Sequence, residues 1–130
     1  MCFRSKQRFK TREEAREFGR NPKIAGKDIV AYKVLNAFMC SPYRGFSWEL
    51  NKLVETKLGR NTFNIDSTNN KPWILEINRG LHAYRDMDWA KYKRGWLAGV
   101  YKVVIPKGAE YFINENEIVA NRMIIKKKIC

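Results

Sequence analysis

At 130 residues the chain has the usual length of one domain, and 45% hydrophobic and 13% aromatic residues are enough to bury a core rather than leave the chain disordered. It contains no apolar run of about 18 residues, which excludes a membrane-spanning helix. The 26 lysines and arginines outnumber 13 acidic residues, and the net charge of +13 attracts polyanions. The alternative is that this charge only keeps a small protein soluble.

Cysteine usage indicates neither disulfides nor a metal. Cys2, Cys40 and Cys130 are odd in number and widely separated, no CxxC pair occurs, and the single histidine, His82, cannot complete a zinc site with them at standard spacings. The segment Met1–Lys10 is basic but lacks the apolar stretch of a secretion signal. We therefore expect a cytoplasmic protein with reduced thiols and no metal.

In chain order, residues 1–27 are expected to form a basic arm and a short helix, ahead of a single domain over 28–130. Thr11 followed by Glu14 fits a capping box, and Gly19 fits a helix end, which predicts a helix over Arg12–Phe18. Asn21-Pro22 then breaks the helix and begins a linker.

The larger region is predicted to be mostly β-strand. Residues 46–58 could form two short strands or one amphipathic helix, and strands are the preferred interpretation. A helix is expected from Asp86 or Asp88 to about Ala98. The other segments are rich in β-branched and aromatic residues and predict strands over 29–35, 62–65, 73–77, 81–84, 100–105, 111–113, 117–120 and 122–126. A hairpin or loop is expected at 66–71, a turn at 78–80, and the end of the second helix at Gly99. The expected fold class is α+β, with a mixed, mainly antiparallel sheet and two helices.

The first candidate ligand-binding segment is Tyr43-Arg44-Gly45-Phe46-Ser47-Trp48. A glycine beside Arg44 lets the backbone approach a ligand, the guanidinium pairs phosphate, and the rings of Tyr43 and Trp48 can stack a base. The alternative is a tight turn whose aromatic side chains enter the core.

The second candidate segment runs from Gly80 to Arg85. Strand alternation places His82 and Tyr84 on one face, and Arg85 follows them. Such a face in a cleft could bind a nucleotide or transfer protons, whereas a lone histidine is often structural. In the helix that follows, the spacing of Trp89, Tyr92 and Trp96 predicts a core stripe, with the neighbouring cations facing solvent.

Five sequence features within roughly residues 28–126 carry a family resemblance: YKVL at 32–35, SPY at 41–43, Trp48, GLHAY at 80–84 and YKVVIPKG…EIV from 101. In these features the chain resembles a family of small basic proteins of gut Bacteroidota and their phages. That family has no established activity, so the resemblance implies a bacterial host cytoplasm and little mechanism. Small basic phage proteins that neutralise host nucleotide signals or bind nucleic acid would fit the charge.

A second resemblance concerns VVIPKGAEYFI followed by Glu115-Asn116-Glu117. It is similar to the C-terminal part of ADP-ribosyltransferases, where an apolar strand precedes an ExE motif. The resemblance implies that Glu117 is catalytic and Glu115 its helper, with Arg44 or His82 on NAD. The Ser-Thr-Ser strand of that class is missing. The preferred interpretation is a hairpin turn over 114–116 with Glu117 exposed.

The leading hypothesis is therefore a binding module for a phosphate-rich ligand, a nucleotide second messenger or nucleic acid, with a possible role in counter-defence. An ADP-ribosyltransferase-like enzyme and a virion or interaction protein are the alternatives. No Walker loop, GxGxxG, HExxH or GxSxG motif occurs, and no resident cofactor is expected. A homo-oligomer would fit a binder that builds its site between subunits.

Overall fold

The computed structural model describes residues 5–36, 48–93 and 98–130. Strand makes up 52% and helix 15%, which confirms the α+β class. The helices are α1 (Arg12–Arg20) and α2 (Met87–Lys93). The strands are β1 (Ser5–Phe9), β2 (Lys23–Ile24), β3 (Ile29–Asn36), β4 (Leu53–Glu55), β5 (Gly59–Ile65), β6 (Trp73–Arg79), β7 (Leu81–Tyr84), β8 (Ala98–Ile105), β9 (Glu110–Ile113), β10 (Glu117–Ala120) and β11 (Arg122–Lys128).

The strands form two antiparallel sheets. The smaller has the order β1-β6-β5, and the larger has the order β2-β9-β10-β7-β3-β8-β11-β4. One parallel contact, an isolated bridge between Leu50 and Ile125, lies beside β4. None of the helices in the described ranges is both long and apolar enough to cross a membrane.

One face of the larger sheet buries an inner core. Its side chains come from β3, β7, β8, β10 and β11, and those of β4 and β9 pack against them. β4 and β9 lie near opposite ends of the sheet, yet both pack against the same core, so the sheet curves around it. The members of the inner core are Ala31, Leu35, Trp48, Leu81, Ala83, Tyr101, Val103, Ile105, Ala109, Ile118, Ala120, Met123 and Ile125.

Two smaller clusters lie on the opposite face of the larger sheet. In one, α2 covers the middle strands, where Ala90 packs with Val34, Tyr84 and Val100. In the other, the smaller sheet and α1 cover β9 and β10, and Ala15 packs with Leu75, Ile77, Phe112 and Val119. The outer face is therefore covered in two separate places.

A sharp corner at Gly80 joins the two sheets, because β6 belongs to the smaller sheet and β7 to the larger one. Gly80 has φ +154°. A Cβ at this position would collide with Cγ2 of Val119 and lie 2.7 Å from Cδ2 of Leu58. Only glycine fits this corner, which is why a turn predicted at 78–80 appears as a bend between two strands.

The first helix begins where the sequence predicts. The Thr11 side chain accepts a hydrogen bond from the Glu14 backbone N–H at 3.2 Å, and Glu13 and Glu14 lie in the positive first turn. The helix continues to Arg20, past the predicted end at Phe18. Asn21 ends it, since its side-chain amide donates to the Glu17 carbonyl at 2.8 Å.

Replacing Thr11 by alanine should remove this N-cap. We expect a loss of about 1 kcal/mol in the free energy of unfolding, because the Glu14 N–H loses its acceptor. Denaturant unfolding of the Thr11→Ala and Thr11→Ser variants measures this change in the free energy of unfolding. Serine retains the hydroxyl, so an equal loss in both variants would contradict the capping role.

The predicted basic arm is instead a strand over the part that is described. β1 pairs with β6 along its whole length, from Ser5–Ile77 to Phe9–Trp73. The Phe9 ring also lies 5.2 Å from the Phe18 ring. Alternating cations suggested a solvated arm, but the partner strand that orders them is more than sixty residues away. Strand pairing thus crosses the boundary drawn at residue 28.

The hairpin predicted around 66–71 is confirmed, with β5 and β6 paired on either side. The Asp66 carboxylate accepts hydrogen bonds from the Thr68 hydroxyl at 2.6 Å and the Thr68 N–H at 3.1 Å. The first of these contributes most to lowering the pKa of Asp66. An Asx turn of this kind closes the loop locally, which is why composition alone could indicate it.

Other segments differ in detail from prediction. In the ambiguous segment, strand β4 is present and Asn51 takes φ 59°. α2 is described only to Lys93, and Gly99, predicted to end this helix, lies inside β8. Tyr92, predicted to be buried, is 76% exposed and stacks on Trp89 at 5.5 Å between ring centroids.

Candidate ligand-binding groove

A groove of about 700 Å³ lies where α1, the β4–β5 connection and the edges of β9 and β11 meet. We call it the basic groove. Its volume falls in the range of small-molecule sites, which is roughly 300–1,000 Å³. It is lined by Gly19, Arg20, Pro22, Glu55, Thr56, Lys57, Leu58, Gly59, Arg79, Glu110, Phe112, Asn121 and Arg122.

Cations outnumber carboxylates in this groove. Arg122 lies 3.9 Å from Glu55, a loose ion pair that leaves the guanidinium with unused donors. Within the described part of the chain, Arg20, Lys57 and Arg79 have no carboxylate partner within ion-pair distance. All three are exposed. Three cations without acidic partners around one concavity make a positive site that a phosphate could neutralise.

The floor of the groove is ordered by Asn121, at the tight connection between β10 and β11. Its side-chain carbonyl accepts from the Glu110 N–H at 2.9 Å, and its side-chain amide lies 3.4 Å from the Glu110 carboxylate. Its backbone carbonyl accepts from the Thr56 N–H at 2.9 Å. These contacts fix the β4–β5 connection, and Lys57 with it, against the end of β11.

The cations of the groove come from distant parts of the sequence, and each lies at the end of an element or between elements. Arg20 ends α1, Arg79 ends β6, Arg122 begins β11 and Lys57 follows β4. Sequence reasoning missed them. One signal was available, because Gly19-Arg20 and Arg79-Gly80 are arginine–glycine pairs of the kind noted at Arg44-Gly45.

The first predicted segment is described only in part. Tyr43 and Arg44 lie outside the described residues, so their ligand contacts stay a prediction. Trp48 is 3% exposed and belongs to the inner core. Its ring centroid lies 5.0 Å from Nζ of Lys33, a lysine that is itself 2% exposed and donates to the His82 carbonyl. Trp48 thus packs a buried ammonium group by a cation–π contact.

His82 is 2% exposed and lies beside the corner at Gly80. Its Nε2 is 3.3 Å from the Ile77 carbonyl and its Nδ1 is 3.2 Å from the Gly80 carbonyl. Burial, and to a smaller extent the nearby Lys33 charge, lowers the pKa of His82 to about 4, although the two carbonyls oppose this shift. The ring is therefore neutral at pH 7 and can donate to only one of the two carbonyls at a time.

Tyr84 and Arg85 complete the second predicted segment. Tyr84 shares a face with His82, as the alternation predicted, and is 2% exposed beneath α2. Arg85 is exposed and donates to the Asn114 carbonyl at 2.8 Å. The structure thus buries His82 and Tyr84 in the interior, and it places Arg85 at the surface against the hairpin turn at Asn114. Contact of any of them with a ligand stays a prediction.

Glu115 and Glu117 line a second groove of about 520 Å³, together with Arg8 and Lys71. The Asn114 side chain accepts from the Asn116 and Glu117 N–H groups at 3.0 and 2.8 Å, which confirms the predicted turn. Glu117 is half-buried rather than exposed.

The positive charge of this second groove is offset by carboxylates. Arg8 lies 3.3 Å from Asp66, and Glu115 and Glu117 are themselves in the lining. His82, one of the two partners that the ADP-ribosyltransferase resemblance implies for NAD, is buried at the corner instead, and the other, Arg44, lies outside the described residues. The second groove is thus the weaker candidate for an anionic ligand.

A scan against protein-family models finds no match for this chain, and neither the curated proteins nor the solved structures contain one.

Proposed function

We propose that this protein is a binding module for a phosphate-bearing ligand and that the basic groove is its site. The observation that carries the proposal is the convergence of Arg20, Lys57 and Arg79, without acidic partners among the described residues, on one concave surface. Guanidinium groups bind phosphate through paired hydrogen bonds, and a groove excludes some of the water that would compete. The net charge of +13 adds long-range attraction.

The shape of the groove favours a nucleotide over nucleic acid. Its cations surround one site of about 700 Å³, and Leu58 with Phe112 gives part of the wall an apolar surface. Nucleic acid needs a continuous cationic track, and its affinity falls steeply with salt. Glu55 and Glu110 in the same lining would repel further phosphates of a polymer and can accept hydrogen bonds from a base.

Equilibrium binding of ATP, a cyclic dinucleotide and a single-stranded DNA of about 20 nucleotides, at about 50 and 200 mM salt, tests this proposal. Arg20→Ala/Arg79→Ala should weaken nucleotide binding at least about a hundredfold, since each lost charge-assisted hydrogen bond costs about 1.5–3 kcal/mol.

The matched control is Arg16→Ala/Lys107→Ala, which removes the same charge from exposed positions outside the groove. Equal weakening by both double variants would mean that only net charge matters. Preferential DNA binding that is lost at the higher salt concentration would assign the charge to nucleic acid. Absence of binding of all three probes at low salt would remove the proposal.

A further inference from the structure

Over residues 5–36, 48–93 and 98–130, neither α1 nor α2 packs against one stretch of the outer face of the larger sheet. Strand register places Val30 beside Val104, Val104 beside Ile124, and Ile124 beside Leu53. Paired residues point to the same side of a sheet, so these four side chains form one row across β3, β8, β11 and β4. We call it the aliphatic row.

The aliphatic row faces away from the inner core. Its neighbours along the strands, Ala31, Val103 and Ile125, are fully buried on the opposite face. None of the four row residues belongs to a core cluster. The two end members, Val30 and Leu53, are 45% and 44% exposed. Val104 and Ile124 between them are half-buried. A continuous row of partly exposed aliphatic side chains on a sheet is typical of an interaction surface, whereas scattered ones are ordinary.

Two lysines flank the row on one side. Lys102 and Lys127 occupy the next paired positions across β8 and β11, on the same face, and Tyr32 continues this line on β3. On the other side, Arg122 pairs in register with Glu55. The surface is therefore an apolar strip with a mostly positive border, and a complementary partner presents apolar side chains bordered by carboxylates.

We propose that the aliphatic row docks an acidic amphipathic segment of another protein. Charge complementarity favours that occupant over a second copy of this chain, because both sides of an interface between two copies would carry the same positive border and would repel. The net charge of +13 on each copy adds to that repulsion. Apolar contact with the row would supply affinity, and the lysine border would fix orientation.

Calorimetric titration with synthetic peptides tests the proposal. The probe is a helix of about 18 residues with leucines on one face and glutamates on the other. A scrambled peptide of the same composition controls for charge alone. The amphipathic peptide should bind at least about tenfold more tightly than the scrambled one. Equal binding of the two peptides, or no binding of either, overturns the proposal.

Val30→Thr/Leu53→Gln removes apolar surface without changing net charge and should weaken binding about tenfold. Ile24→Gln/Ile65→Gln is the matched control, since those residues are 62% and 63% exposed outside the row. Equal effects of the two pairs contradict the proposal. Sedimentation of the protein alone adds a further outcome. A dimer that Val30→Thr/Leu53→Gln dissociates would assign the row to a second copy and overturn the proposal as well.

Discussion

Lowering the pH from 6.5 to 4 should cost the folded protein about 3 kcal/mol through His82 alone. Burial and the nearby Lys33 hold the folded pKa at about 4, against 6.5 in the unfolded chain. Between these values the unfolded state binds more protons, so the free energy of unfolding rises with pH. The contribution is complete above about pH 6.5 and is lost progressively down to about 4, at about 1.4 kcal/mol per pH unit.

Two measurements isolate this effect from titrating carboxylates. Denaturant unfolding at several pH values should show a steeper loss for the wild type than for His82→Gln, whose side chain does not titrate. The difference between the two curves should approach about 3 kcal/mol at pH 4. Because His82 is the only histidine, its ring proton signal can be followed by NMR without ambiguity. A midpoint near 6.5 in the folded protein would contradict the buried position.

Gly80→Ala should lower the free energy of unfolding by about 3 kcal/mol, a combination of backbone strain and overpacking. The backbone at Gly80 has φ +154°, which L-residues rarely adopt. The added methyl would meet Val119 across the corner and lie 2.7 Å from the Leu58 side chain. The Leu58 side chain is partly exposed and can turn aside, whereas Val119 is fully buried and β-branched, so its methyl group can move only if the packing around it shifts.

Two other glycines separate these causes. At Gly59, φ is +149°, but an added Cβ would have no non-neighbouring atom within 4 Å. Gly59→Ala should therefore lower the free energy of unfolding through backbone strain alone, by about 1–2 kcal/mol. At Gly26 the space is also open and the backbone is ordinary, so Gly26→Ala should change stability by less than about 0.5 kcal/mol. Thermal or denaturant unfolding that ranks Gly80→Ala level with Gly26→Ala would contradict the corner as described.

Features determined by local chemistry could be predicted from the sequence. The hairpin around Asp66 follows from Asx-turn residues, and the start of α1 follows from Thr11 and Glu14, because each is stabilised by contacts within a few residues. Strand β10 matches the predicted 117–120 in full. In these segments β-branched alternation and turn residues agree with the final structure.

Features that depend on contacts between distant residues could not be predicted from the sequence. β1 is ordered by β6, and Lys33 is buried against the Trp48 ring and the His82 backbone carbonyl. A lysine within a strand is normally expected to be exposed, and Lys33 is buried only because the larger sheet curves around it. The basic groove has the same origin. Arg20 and Arg79 are about sixty positions apart, and the packing of α1 beside β6 brings them to one site.

The most direct test of the basic groove is a backbone NMR titration with pyrophosphate, the smallest probe that carries two linked phosphates. We expect the largest amide shift changes at Gly19, Gly59 and Asn121, which line the groove and carry backbone N–H groups. Changes centred on Lys71 and Asn116 in the second groove, or confined to the lysines that end β11, would contradict the proposed site. So would the absence of any change at millimolar probe.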